Sequence, residues 1–263
     1  MSNESPDRIR TERDGRILVV TLNRPQSLNA LAPEDNAALA DIFDTYSADD
    51  ELWVAIITGS GERAFCSGID LKAIGGGGSR KLPASGFAGL TGRYDLDKPI
   101  IAAVNGLAVG GGFELVLSCD IVIAAEHARF GLLEAARGTA ALAGGLQRLP
   151  RQIGLKRAMD MILTARMVSA SEGRDYGFVN EVVPASDLMQ AARRKAERIL
   201  QMAPLSVRAS KRAAMDGLAQ STVQAAVAAQ KEMPLIKQLL HSEDRIEGAR
   251  AFAENREPHW RNR

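Results

Sequence analysis

The sequence has few of the residues that build disulfide frameworks, metal sites and membrane spans. Among 263 residues there are 2 cysteines and 3 histidines. Cys66 and Cys119 lie in apolar segments, which favours free thiols in a reducing compartment. The histidines are scattered and no HExxH motif occurs, so we expect no metal site. No apolar run approaches a membrane span and the polar N-terminus lacks a signal-peptide core, so the expected location is cytoplasmic, without a membrane partner.

Charge of neither sign is in excess. There are 33 Lys and Arg residues against 32 Asp and Glu residues, and the net charge is +1. This balance argues against a nucleic-acid partner, because proteins that bind polyanions concentrate Lys and Arg on one face. A local basic patch could still bind a small phosphorylated ligand. Hydrophobic residues make up 46% of the chain, which is enough for a real core.

Short apolar runs alternate with helical patterns over the first 201 residues. The β-branched runs predict strands at 17–22, 53–58, 99–104 and 121–125. Helical spacing predicts helices at 33–46, 113–118, 156–165 and 186–201. Strands that alternate with helices indicate an α/β fold.

The character of the sequence changes at residue 202. Strand patterns give way to helical patterns at 205–217, 221–240 and 242–256, and Pro234 should kink or split the second of these. We therefore expect a core over residues 1–201 and a helical region over 202–263. The alanine-rich helical region has little bulk for a core of its own, so we expect it to dock on another subunit.

Three consecutive glycines precede a helical pattern within residues 100–120, which read IIAAVNGLAVGGGFELVLSCD. Because glycine has no Cβ, a ligand could closely approach the N–H groups of Gly110 and Gly111. At a helix N-terminus such donors favour negative charge. Glu114 follows by nearly one turn, so its carboxyl group could lie over the ligand. A tight turn with close packing is an equally good interpretation of this segment alone.

Two further segments could complete a site. Residues 64–71, AFCSGIDL, form a small-residue loop in which the N–H of Ile69 could point into a pocket. Two backbone donors on separate loops are what an oxyanion hole requires. Residues 130–138, FGLLEAARG, place Glu134 among apolar residues, where burial would tune its protonation. Taken singly, the first segment is more typical of a packing loop and Glu134 of a surface glutamate.

The order and spacing of several motifs resemble the crotonase, or enoyl-CoA hydratase/isomerase, superfamily, and most of all its enoyl-CoA hydratases. The motifs are NRPQSLNAL from Asn23, AFCSGIDL, VNGLAVGGGFEL, CDIVIAAEHARFG, LLEAARG and AGGLQRLPR, with EGARAFAENREPHW near the end. The resemblance covers nearly the whole chain. It implies a spiral of repeated ββα units, followed by helices that build trimers or dimers of trimers.

The resemblance also implies the chemistry. The substrate would be an acyl-CoA thioester, with no separate cofactor, and its oxygen would lie between the N–H groups of Ile69 and Gly111. Glu114 and Glu134, 20 positions apart, would be the acid and base of an enoyl-CoA hydratase that adds water in syn fashion, as in fatty-acid β-oxidation. The implied substrate-binding and CoA-binding residues are Leu28, Ala30, Ala64, Ser67, Ile69, Asp70, Leu71, Gly110, Gly111, Leu142 and Arg256.

Departures from the hydratase pattern keep two alternatives open. Leu133 replaces a proline before the glutamate, and Ala141-Leu142 replaces a Pro-Gly pair. Leu142 adds bulk where the family's backbone helps to hold the catalytic water. The alternative enzyme is a Δ3,Δ2-enoyl-CoA isomerase, in which Glu134 shuttles a proton alone, or another crotonase-type acyl-CoA enzyme. Some crotonase-like proteins bind RNA, but the balanced charge argues against that function here.

Overall fold

The computed structural model describes residues 8–70 and 82–263, and most of its strands form one six-stranded sheet. The strands, in chain order, are β1 (Ile9–Asp14), β2 (Ile17–Leu22), β3 (Val54–Gly59), β5 (Ile100–Val104), β7 (Ile121–Ala125) and β10 (Glu181–Val183). They lie side by side in this same order. The first pair is antiparallel and the other neighbours are parallel.

A second, four-stranded sheet is made from short strands. These are β4 (Ala64–Cys66), β6 (Leu107–Val109), β8 (Arg129–Gly131) and β9 (Val168–Ser169). The successive pairs β3–β4, β5–β6 and β7–β8 each place one strand in each sheet. This repetition confirms the expected α/β spiral.

The helices lie between the strand pairs and at the C-terminus. Those of the core are α1 (Pro33–Ala48), α2 (Gly111–Ser118), α3 (Gly145–Ile153), α4 (Leu155–Thr164), α5 (Ala170–Tyr176) and α6 (Leu188–Leu200). The C-terminal helices are α7 (Pro204–Gly217), α8 (Val223–Gln230), α9 (Pro234–Leu240) and α10 (Glu243–Glu254). None of the helices in the described ranges is both long and apolar enough to cross a membrane.

The inner strands β2, β3, β5 and β7 of the six-stranded sheet are largely buried on both faces, which explains why they read as continuous apolar runs, whereas β1 at one edge is mostly exposed. One face contributes residues such as Val20 and Ile57 to a large cluster that includes α1 and α2. In that cluster the rings of Phe113, Phe130 and Phe178 contact one another with centroids 5.1–5.5 Å apart. The opposite face packs against α6. The start of α2 is therefore held by the main core.

The C-terminal helices contact the core through α7. Arg208 donates two hydrogen bonds to the Asp97 carboxylate, at 2.8 and 3.1 Å, and Lys211 donates to Asp120 at 2.7 Å. The proposed boundary between residues 201 and 202 falls in the turn between α6 and α7. The division into two regions stays a prediction.

Candidate active site

In the turn from β6 into α2, one of the two predicted backbone donors, Gly110, is already paired within the chain, whereas Gly111 is not. Gly110 has a φ of +56°, and its N–H donates to the Gly131 carbonyl at 3.0 Å. Gly111 begins α2, and the described chain offers its N–H no acceptor. A Cβ on Gly112 would lie 1.9 Å from the Cys66 carbonyl oxygen, so this position requires glycine. The triple glycine is thus both a packing turn and the source of a backbone donor that is buried and has no acceptor among the described residues.

The loop that follows β4 places a second N–H beside this turn. Ile69 forms a parallel bridge with Leu31, in which the Leu31 N–H donates to the Gly68 carbonyl and the Asp70 N–H donates to the Leu31 carbonyl, each at 2.9 Å. The N–H of Ile69 itself therefore points away from Leu31, and it has no acceptor among the described residues. Gly68 has a φ of +91°, and a Cβ there would lie 3.0 Å from the Gly111 nitrogen. The two predicted donors lie on touching loops.

Glu114 lies in the first turn of α2 and is only 3% exposed. Its Oε1 accepts a hydrogen bond from the Gly145 N–H at 2.8 Å. Burial has the largest effect on the pKa of this carboxyl group and raises it. The charge of Glu134 also raises the pKa, whereas the hydrogen bond from Gly145 lowers it. Together they raise the pKa of Glu114 to about 7. The group can therefore gain or lose a proton near neutral pH.

Glu134 lies at the other side of the same glycine turn, just before a short 3-10 helix at Ala135–Arg137. A Cβ on Gly110 would lie 3.1 Å from Glu134 Oε1. Its Oε2 is buried and has no hydrogen-bond partner within the described ranges. Burial raises the pKa of Glu134 as well. Two carboxyl groups with raised pKa values thus flank one turn, and one of them has a buried oxygen without a hydrogen-bond partner among the described residues.

The residues that depart from the hydratase pattern lie around these carboxyl groups. Leu142 is 81% exposed, so most of its side chain faces solvent, whereas Ala141 is buried. The turn then continues through Gly144, with a φ of +101°, to the N–H of Gly145 that binds Glu114. In this chain the bulk of Leu142 does not pack into the core between the two glutamates.

Several residues predicted to bind CoA meet at one junction of loops. The Ser67 N–H donates to the Leu28 carbonyl at 3.0 Å. The carbonyls of Ala30 and Ala64 accept hydrogen bonds from the side chains of Arg24 and Asn29. The structure therefore gathers these predicted residues around Ile69, and their contact with CoA stays a prediction.

Three other predicted residues have different outcomes. The carboxylate of Asp70 binds the guanidinium of Arg24 at 2.8 Å. Leu71 lies outside the described residues. Arg256 follows α10 and donates to the carboxylates of Glu247 and Glu254, holding the pKa of Glu247 at about 2. Among the described contacts of Arg256, none joins it to the Ile69 loop or to Gly111.

Four residues contribute to the site although the sequence analysis assigned them no role. Gly145 donates to Glu114, Arg24 and Asn29 bind the loop junction from within, and the ring of Phe87 packs on Gly111, where a Cβ would lie 3.0 Å from Cζ. Arginine and asparagine usually indicate a surface, and Phe87 belongs to no recognisable motif. Arg24 and Asn29 lie in the motif NRPQSLNAL and Gly145 lies in AGGLQRLPR, so motifs marked these positions but not their contacts.

Comparison with protein families identifies the chain. The family model described as enoyl-CoA hydratase/isomerase matches residues 12–263. The chain belongs to this family. It is thus a crotonase-superfamily enzyme of the hydro-lyase type, as the motifs predicted.

Members of the enoyl-CoA hydratase/isomerase family resemble this chain along nearly its whole length. Carnitinyl-CoA dehydratase from Salmonella heidelberg (strain SL476) is 42% identical over an alignment of 262 residues, and the match covers 95% of this chain and 97% of that protein. The crystal structure of enoyl-CoA hydratase from Mycobacterium tuberculosis H37Rv matches with a TM-score of 0.91 at 37% identity, covering 97% of this chain and 99% of that one. A probable enoyl-CoA hydratase/isomerase from Mycobacterium abscessus has a TM-score of 0.90 at 40% identity, covering 98% and 100%.

Proposed function

We propose that this enzyme catalyses the reversible syn addition of water to a 2-enoyl-CoA, which in reverse is the dehydration of a 3-hydroxyacyl-CoA. One observation carries the proposal. Glu114 and Glu134, both with raised pKa values, flank the turn at which Gly111 touches the Ile69 loop. This arrangement offers a donor pair for one oxygen and two proton-transfer groups beside it.

The donor pair would stabilise the charge that develops during the reaction. When water adds to the β-carbon of a conjugated thioester, electron density moves onto the thioester oxygen and gives an enolate-like species. The N–H groups of Ile69 and Gly111 would bind that oxygen, and the N-terminus of α2 adds a favourable field. Each donor aimed at developing charge is worth about 3–4 kcal/mol.

The two glutamates would move the protons. One carboxylate would take a proton from the attacking water, and the other, protonated, would supply a proton to the α-carbon, each contributing about 10²- to 10⁴-fold to the rate. Two neighbouring carboxyl groups do not both ionise easily, so one would be held neutral. The pair would titrate as a unit.

The acyl group is the part of the substrate with least support. The names of relatives point to carnitinyl-CoA and to other enoyl-CoA thioesters, so both belong among the substrates to be tested. The CoA portion would lie along Leu28, Ala30, Ala64 and Ser67, whose backbone groups surround the Ile69 loop. Leu71 and Arg256 remain proposed contacts of CoA.

Substituting the glutamates singly tests the proposal. Glu114→Gln and Glu134→Gln should each reduce kcat for hydration by at least about 10²-fold, since each removes one proton-transfer group. Loss of absorbance of the conjugated thioester measures the rate. If the wild-type enzyme and Glu114→Gln instead move a double bond from the 3- to the 2-position equally well, the isomerase alternative is correct.

A further inference from the structure

A buried ion pair lies directly behind the loop that carries Ile69. Arg24 Nη1 donates to Asp70 Oδ2 at 2.8 Å, and the two side chains are only 10% and 11% exposed. The same nitrogen donates to the Ala30 carbonyl at 3.0 Å, and the Asp35 carboxylate is 3.7 Å away. Burying charged groups is unfavourable unless they are paired and hydrogen-bonded, so this cluster has a definite geometry.

The segment that carries Arg24 is held in an unusual conformation. Leu28 and Asn29 both have positive φ values, 52° and 54°, a region that is uncommon for residues other than glycine. The side chain of Asn29 is fully used. Its Oδ1 accepts from the Arg24 N–H at 2.9 Å, and its Nδ2 donates to the carbonyl of Ala64, in β4, at 2.8 Å. The segment is thus bound to the strand that leads into the Ile69 loop.

The ion pair contacts both chain segments of the bridge between Leu31 and Ile69. Leu31 binds Gly68 and Asp70 on either side of Ile69. Arg24 in turn binds the carbonyl of Ala30, next to Leu31, and the carboxylate of Asp70, next to Ile69. One guanidinium therefore joins the two chain segments at the bridge. Moving it would change the direction of the Ile69 N–H.

We propose that Arg24 and Asp70 are positioning residues, whose buried ion pair holds the Ile69 N–H in register with that of Gly111 for binding a thioester oxygen. The inference rests on the proposed function and adds to it the residues that aim the donor. Neither side chain is placed against the reacting atoms. A shift of about 1 Å in a catalytic group lowers rates by about 10²-fold, so a small displacement of this loop should be measurable.

A chromophoric substrate analogue tests the aim of the donors directly. We would bind a cinnamoyl-CoA that carries an amino donor on its ring, because its absorption shifts to the red when hydrogen bonds polarise the thioester carbonyl. The full-length wild type should show this shift. Asp70→Asn and Arg24→Lys should lose most of it, and should lower kcat by about 10²-fold while KM changes little. Asp70→Glu, which keeps the carboxylate, should recover part of both.

A matched control separates positioning from stability. Asp97→Asn breaks the pair between Asp97 and Arg208, whose side chains are 15% and 21% exposed and which has no described contact with the Ile69 loop. It should lower the melting temperature while leaving the red shift and kcat unchanged.

If Asp70→Asn or Arg24→Lys behaves like this control, or if a wild-type complex shows no red shift, the inference is overturned. If both variants fail to fold, Asp70→Glu provides the test, because it keeps both charges. An Asp70→Glu variant whose red shift and kcat equal those of the wild type would then overturn the inference. A wild type that shifts the chromophore but does not hydrate an enoyl-CoA contradicts the proposed function and leaves the inference standing.

Discussion

At the scale of single residues, the buried carboxyl group of Glu114 links the site to the pH dependence of stability. Its pKa in the folded chain, about 7, exceeds the usual value of 4.5. Between these values the folded state binds more protons than the unfolded state. The contribution of this group to the free energy of unfolding is therefore complete below the usual pKa. It amounts to about 3 kcal/mol at most and is lost as pH rises through about 7.

Glu114→Gln should remove this dependence. A neutral amide has nearly the shape of the protonated acid and can still accept from the Gly145 N–H. Relative to the wild type, the variant should gain melting temperature between about pH 5.5 and about pH 8.5, because the wild type loses most of this contribution over that range, as thermal unfolding at the two pH values would show. Glu247→Gln is the control. Any change in its melting temperature relative to the wild type should be the same at both pH values, because the pKa of Glu247 is about 2. An equal difference in melting temperature between Glu114→Gln and wild type at both pH values would contradict the burial argument.

The residues of the site differ in how far the sequence could indicate them. Ile69, Gly111, Glu114 and Glu134 belong to motifs, and the structure brings them together around one turn. Arg24 also lies in a motif, but its role could not be predicted from it, because its burial depends on Asp70, 46 positions away in the chain. A buried role that exists only through a distant partner cannot be read from local sequence.

At the scale of elements, the contact between the Gly68 turn and α2 leaves no room for a side chain. Gly68→Ala should therefore push the Ile69 loop away from Gly111 and lower kcat for hydration by about 10²-fold or more, in addition to destabilising the turn. Steady-state kinetics on the folded variant would measure the effect. Gly177→Ala is the control, because Gly177 has a φ of +97° but a Cβ there meets nothing within 4 Å. Equal kcat values for the two variants would show that the contact is not needed for catalysis.

Prediction of the elements succeeded where they are long and buried. The strand at 121–125 is confirmed, and the pattern over 221–240 is split into α8 and α9, with Pro234 in the first turn of the latter. The second sheet was missed because strands of two or three residues are too short to show an alternation. β1 was missed because five of its six residues are exposed. In the structure α2 extends back to Gly111. This extension depends on packing, because the intrinsic propensity of glycine opposes a helix there.

At the scale of the whole molecule, the C-terminal helices leave large apolar side chains in solvent. Phe252 is 90% exposed, Val223 81% and Leu218 76%. Large exposed apolar groups on one region indicate an interface. We therefore predict self-association through this region, as a trimer or a dimer of trimers of the 28.2 kDa chain.

Light scattering at micromolar concentration would measure the assembly. Phe252→Glu should reduce the mass if the phenylalanine is covered by another subunit, whereas Tyr94→Glu, an exposed aromatic outside the C-terminal helices, should not. A monomeric mass for the wild type would contradict the prediction.

The most direct test of the account is the rate of hydration by wild type, Glu114→Gln and Glu134→Gln across short, long, branched and aromatic 2-enoyl-CoAs, with dehydration of carnitinyl-CoA included. We predict turnover of at least one substrate at about 1–10³ s⁻¹ by the wild type, and a loss of at least about 10²-fold in each variant. Hydration that survives unchanged in either variant, or a wild type that hydrates or dehydrates none of these thioesters, would contradict the account.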